Sequence, residues 1–232
     1  MKTLIVLSIL LISLKCLFAQ EIRDSFANGK PELRWTAYPH FNLDNVEAIY
    51  DRMAPDGDNG IGLLRNKNVG GFAALSYVAG LELENFYLEA LVFCPVTFGD
   101  RGPLTGMAFL IDPMENRFFR FICDFKSIKP SLNIAYVGRD TNQFPVYLKI
   151  WTTSDIKEEL PQKAGWHIFA VEVKNGVLKA YFNKKELPGT VRVDRIKRGF
   201  VGIYTNFVGG LGEAETKFDS FIIKPLNIKD KQ

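Results

Sequence analysis

Short aromatic and β-branched runs follow one another from residue 33 to 224, each closed by Gly, Pro, Asn or Asp, while helical periodicity is nearly absent. The plainest are YLEALVFC (87–94), GMAFLI (106–111), RFFRFICDF (117–125), SLNIAYV (131–137) and PVYLKIW (145–151). WHIFAVEV (166–173), LKAYFN (178–183), FVGIYTN (200–206) and KFDSFIIK (217–224) complete the set. Many short strands at such spacing specify a two-sheet sandwich or a barrel. Asn175-Gly176 between two of them predicts a hairpin turn with both central residues at positive φ. The one helical stretch expected is TSDIKEEL, 153–160, with Ser154 or Asp155 as its cap.

The first nineteen residues, MKTLIVLSILLISLKCLFA, have the layout of a secretory signal: Lys2, an apolar run, and Ala19 before the cut. Lys15 keeps that run shorter than the ~20 apolar residues a membrane span needs. Lipidation at Cys16 is disfavoured, because Lys15 stands where lipobox processing takes a small residue. The expected product is a secreted protein, extracellular or periplasmic, formed of one all-β domain over residues 20–232. The full chain carries a formal charge of +3, and loss of Lys2 and Lys15 leaves it near neutral. Such a chain has no general pull on phosphate backbones, so nucleic acid is not expected. The basic RVDRIKRG, 192–199, reads as a solvated strand and turn. Cys94 and Cys123 remain after cleavage, either bridged in an oxidising compartment or buried as small hydrophobes. No cysteine–histidine spacing suits structural zinc.

Alternation sorts the faces. In 117–125, Phe119, Phe121, Cys123 and Phe125 share one face; Phe118, Arg120, Ile122 and Asp124 share the other. In 145–151, Tyr147, Lys149 and Trp151 oppose the apolar Val146, Leu148 and Ile150. In 200–206, Tyr204 and Asn206 lie beside Gly202. Combined in one curved sheet, these second faces form an aromatic and polar hollow.

The motif order LRWTAY, LELENFYLEALV, GMAFLIDPMENRFFRFI, AGWHIFAVEVKNGVLKAYFNKKEL and GFVGIYTN…KFDSFIIKP resembles the concanavalin A-like superfamily, of the laminin-G-like and 3-keto-disaccharide-hydrolase-like kind. The resemblance runs from about Phe26 to Pro225. It implies a two-sheet antiparallel jelly roll with a concave inner sheet where sugars bind, and places Trp35 and Trp166 in the core. It also implies a calcium ion between the chain ends, held by Asp219 of FDSF with Asp24 of RDSF as partner. A solvated Asp219 and a buried, hydrogen-bonded one are the alternatives. PDGDNG, 55–60, lacks the glutamate of an EF-hand and reads as a turn.

Glycoside cleavage takes two carboxyl groups across the bond. The two glutamates and aspartate that alternate along one strand of laminarinase-type relatives have no counterpart here. Glu89 and Asp124 are single carboxylates, and Glu82 and Glu84 mark an outer strand face. The glycine-rich strand of the keto-sugar hydrolases is replaced by LTGMAFLID. Of the two histidines, His167 reads as structural and His40 as a loop residue. The expectation is therefore a lectin-like carbohydrate-binding domain whose glycan meets Arg120, Asp124, Tyr147, Trp151, Tyr204 and Asn206. A secreted 3-keto-disaccharide hydrolase is the alternative, and a protein partner at a sheet edge is the third class.

Overall fold

A computed structural model describes residues 20–41, 45–66, 73–95, 102–124, 131–139, 145–152, 164–208 and 214–226. Residues 1–19, read as a secretory signal, Phe125 and the stretch read as helix at 153–160 lie outside them. In chain order the strands are β1 (Ile22–Asp24), β2 (Trp35–Ala37), β3 (Glu47–Tyr50), β4 (Gly60–Asn66), β5 (Ala74–Val78) and β6 (Phe86–Cys94). They continue as β7 (Gly102–Asp112), β8 (Arg117–Asp124), β9 (Ser131–Arg139), β10 (Pro145–Thr152) and β11 (Gly165–Lys174). The last are β12 (Val177–Phe182), β13 (Lys185–Glu186), β14 (Val191–Arg192), β15 (Phe200–Val208) and β16 (Ala214–Pro225). No helix among the described residues is long and apolar enough to cross a membrane.

Two antiparallel sheets form the jelly-roll sandwich. One runs β13-β12-β11-β6-β16-β4-β3, with β1 added on β16 and β14 on β12; the other runs β10-β9-β8-β7-β15-β5-β2. The sequence pattern sets which face is inside. In β6, Phe86, Leu88, Ala90, Val92 and Cys94 are buried while Tyr87, Glu89, Leu91 and Phe93 are half-buried, the period-two alternation of a strand with one covered face. Opposite them, Met107, Phe109, Phe119, Phe121, Ile134, Val201 and Ile203 close the core. Each such side chain contributes about 1.5–3 kcal/mol by leaving water. The β11–β12 hairpin turns at Asn175 (φ 53°) and Gly176 (φ 70°), as the Asn-Gly pair predicts.

Trp35 is in the core, packed edge-on against Phe218 and Phe221 at 5.4 and 4.9 Å between ring centroids. Trp166 is not. It pairs with Phe93 across β11 and β6, on the outer side of the nine-stranded sheet, with ring centroids 5.5 Å apart. Its odd-numbered neighbours Phe169, Val171 and Val173 take the inward positions, so strand alternation excludes Trp166 from the core.

Candidate functional site

The seven-stranded sheet turns one face away from its partner, and strand register defines that face row by row. One row reads Ala135, Arg120, Ala108, Gly202 and Tyr77 across β9, β8, β7, β15 and β5. The next reads Asn133, Ile122, Gly106, Tyr204 and Leu75. Only the small Ala108 and Gly202 stand between Arg120 and Tyr77, three strand spacings or roughly 14 Å apart.

Arg120 and Tyr204 are brought together as expected. The Arg120 Nη1 donates to the Tyr204 hydroxyl at 2.5 Å, and the guanidinium lies 4.8 Å from the Tyr204 ring centroid. The pair is, however, only 4% and 3% exposed. It forms a covered layer of this face and not an open platform. The reason is a second apolar cluster on this face, in which Phe118, Ile122, Leu75 and Ala108 are covered by the segment 38–41. Phe41 approaches Phe118 and Tyr204 at 5.8 and 6.5 Å between centroids, and Tyr38 is fixed by its hydroxyl donating to Asn116 Oδ1 at 3.0 Å. His40 Nε2 lies 2.7 Å from the Pro113 carbonyl and helps hold the same segment down.

Asn206 sits at the rim, half-buried, two residues beyond Tyr204. Tyr147 is in register with Val137 beside Phe118, and Asp124 with Ser131; their side chains, and that of Trp151, lie outside the described residues. Lys149 pairs with Ala135 but Trp151 pairs with Ile134. The extra residue, Ile150, breaks the alternation that the sequence reading assumed, and Trp151 is out of step with Tyr147 and Lys149. Two aromatics not picked out from the sequence stand on this face, Tyr77 and Phe200. Both are half-buried, with ring centroids 4.9 Å apart at 35°. Phe200 shares the even-numbered face of FVGIYTN with Gly202, Tyr204 and Asn206, whereas Tyr77, in SYV, falls outside the runs read as strands.

A second constellation lies where the chain ends meet. β4 pairs with β16 up to Phe218, and β1 takes over from Phe221. Between them the strand bulges, with Ser220 at φ 46°. The bulge sends both Phe218 and Phe221 into the core and leaves Asp219 between the two partner strands. Asp219 is fully buried, not solvated; Ser220 N donates to Oδ1 at 2.6 Å, but no donor among the described residues reaches Oδ2. One oxygen each of Asp219, Asp56 and Asp58 lie within 4.8 Å of one another. Burial, aided by the Asp56 and Asp58 carboxylates, pushes the Asp219 carboxyl up to about 7. Arg23 and Ser220 Oγ reach Asp56 Oδ2 at 3.3 and 3.1 Å from the outer side. PDGDNG is thus a turn, as read, that also delivers two carboxylates to Asp219.

Gly60 seats that turn. A Cβ there would stand 1.7 Å from the Phe26 carbonyl oxygen. Gly60→Ala is expected to force the 55–60 turn off Phe26 and to cost about 1–3 kcal/mol in urea unfolding, the range for an overpacked contact.

Asp24 is placed differently from its expected role. Its Oδ1 accepts from the backbone N–H of Phe26 (3.0 Å) and Glu32 (3.1 Å). Its Oδ2 accepts from Leu33 N (3.0 Å) and Trp35 Nε1 (2.8 Å). With both oxygens engaged by four donors, Asp24 ties down the 25–35 loop and has no lone pair directed at Asp219. Histidine 167 is structural: its Nδ1 lies 3.2 Å from Asn183 Nδ2, its ring stacks on Phe182, and burial holds its imidazole below the usual range.

No protein-family model matches the chain, and no curated protein does. Solved structures do. A GH16 enzyme from a Bacteroides ovatus mixed-linkage glucan locus superposes with a TM-score of 0.56 at 16% identity, over 87% of this chain and 99% of that one. The carbohydrate binding module CBM66 from Bacillus subtilis gives 0.53 at 12% identity, over 83% and 97%. The fold is a concanavalin A-like jelly roll. A Bacillus subtilis protein of unknown function with a galectin-like fold shares the same jelly roll at a TM-score of 0.52 and 8% identity, over 88% and 94%.

Proposed function

We propose that this jelly roll is a secreted, non-catalytic carbohydrate-binding domain that meets its glycan on the outer face of the seven-stranded sheet. The observation that carries the reading is the half-exposed aromatic set of that face, Phe41 over the Arg120–Tyr204 pair and Tyr77 against Phe200 farther along β15, with few carboxylates beside them. Aromatic rings stack on the apolar faces of sugars, and the adjoining Asn206 amide suits hydroxyl groups. Among the described strand positions of that face Asp124 is the one carboxylate, so the acid pair of a glycosidase has no seat there. This weighs against the 3-keto-disaccharide hydrolase alternative. The expected role of Arg120 and Tyr204 shifts accordingly, from direct contact to support of the rings above them.

A glycan array tests the proposal. Binding to a defined glycan is expected, with no new reducing ends on prolonged incubation. Tyr77→Ala and Phe200→Ala are each expected to weaken it about tenfold, an ordinary loss for truncating a contact aromatic. Glycan release, or full affinity in both variants, would count against it.

We further propose that the acidic cluster holds a structural calcium ion. The donors fit: three carboxylates converge, and the buried Asp219 Oδ2 has no hydrogen-bond partner among the described residues. Calcium takes six to eight oxygen ligands, and its double charge would balance the carboxylates that the single Arg23 guanidinium, on Asp56, leaves unmatched. Asp219, Asp56 and Asp58 are the proposed ligands, and Asp24 is not among them.

A further inference from the structure

We infer that Cys94 and Cys123 form a disulfide that staples the two sheets together. Cys94 ends β6 in the nine-stranded sheet and Cys123 lies near the end of β8 in the seven-stranded one. Both occupy inward positions of the shared core, at 0% and 1% exposure. Their sulfurs are 3.0 Å apart. That is closer than the ~3.5–4.0 Å at which even two non-bonded carbons settle, and about 1 Å beyond a sulfur–sulfur bond. Two sulfurs from opposite sheets are therefore aimed at one another, and bond formation asks for only a small side-chain adjustment. Thr105 Oγ1, 3.3 Å from Cys123 Sγ, fixes one of them in place.

The chemistry is exchange with a small or protein disulfide such as oxidised glutathione. One cysteine thiolate attacks the oxidant, making a mixed disulfide and releasing one thiol. The second thiolate then attacks the protein sulfur of that mixed disulfide, forms the Cys94–Cys123 bond and expels the second thiol. Two electrons and two protons pass from the protein thiols to the reduced oxidant. In the folded protein both sulfurs are sealed from water, and burial pushes the Cys94 thiol well up. Exchange therefore takes place before the sheets close, and the finished bond is shielded from reductant. An exported chain meets the required oxidant in its compartment; the pairing itself is testable apart from export.

The test is refolding of the denatured, reduced protein in mixed oxidised and reduced glutathione. Alkylation under denaturant and peptide mapping follow. The expected result is a monomer with neither residue alkylated and the Cys94 peptide joined to the Cys123 peptide. Its unfolding midpoint is expected about 10 °C above that of protein kept in reductant, from closure of the intervening loop. A Cys94→Ala/Cys123→Ala protein is expected to show a midpoint that reductant does not move. Two alkylated thiols after oxidative refolding, an intermolecular bond, or equal midpoints with and without reductant would overturn the inference.

Discussion

Asp24→Ala is expected to lower the free energy of unfolding by about 3–5 kcal/mol, the range for removing one partner of a buried, charged hydrogen-bond network. Truncation strands the Trp35 indole N–H and the amides of Phe26, Glu32 and Leu33 at the edge of the core. Each orphaned donor then bears its desolvation cost. The loss propagates, because Trp35 packs on Phe26, Phe218 and Phe221 and its orientation is set by that indole bond. Asp24→Asn keeps the volume and part of the acceptor capacity and should fall between. Urea unfolding monitored by tryptophan fluorescence checks this: the midpoint should drop with little change in slope. A loss below about 1 kcal/mol would show that water replaces the carboxylate, against the burial of this loop.

Calcium is expected to raise the thermal midpoint by roughly 5–10 °C at a hundredfold excess over its dissociation constant. Asp219→Asn is expected to abolish most of that shift. The pH dependence follows from Asp219, whose carboxyl is raised to about 7 in the folded protein. A carboxyl unfolds to an ordinary value near ~3.9, so between those limits the folded state binds the extra proton. In metal-free protein this group's stabilising contribution is fully present below the unfolded value. It is lost as pH rises through about 7. Calcium competes with that proton, so its stabilisation should grow over the same interval. Asp219→Asn should raise the metal-free midpoint at pH 8 and flatten the profile. A calcium shift of equal size in wild type and variant, or none in either, would contradict the assignment.

The sandwich was legible because short aromatic and β-branched runs recur between turn residues, β6 alternates cleanly, and Asn175-Gly176 fixes a turn geometry that few other pairs tolerate. Asp219 was legible as unusual, since a carboxylate between two phenylalanines conflicts with a covered strand. Its partners were not. Asp24 is near in sequence pattern but engaged by its own loop, and Asp56 and Asp58 are remote in sequence and reach Asp219 only through the β16 bulge. A bulge hides from the sequence because one inserted residue shifts every strand position beyond it, as Ile150 does to the register of Trp151. Burial of Arg120 and Tyr204 was hidden for another reason: it depends on Tyr38 and Phe41 crossing the sheet, a tertiary contact with no local signature.

The placement of the glycan on the outer face of the seven-stranded sheet is tested most directly by mapping amide chemical-shift changes on titration with a glycan that binds. The account predicts changes concentrated at Phe41, Tyr77, Phe200 and Asn206, with the free glycan recovered intact. Changes confined to the outer side of the nine-stranded sheet, around Tyr87 and Trp166, would contradict it.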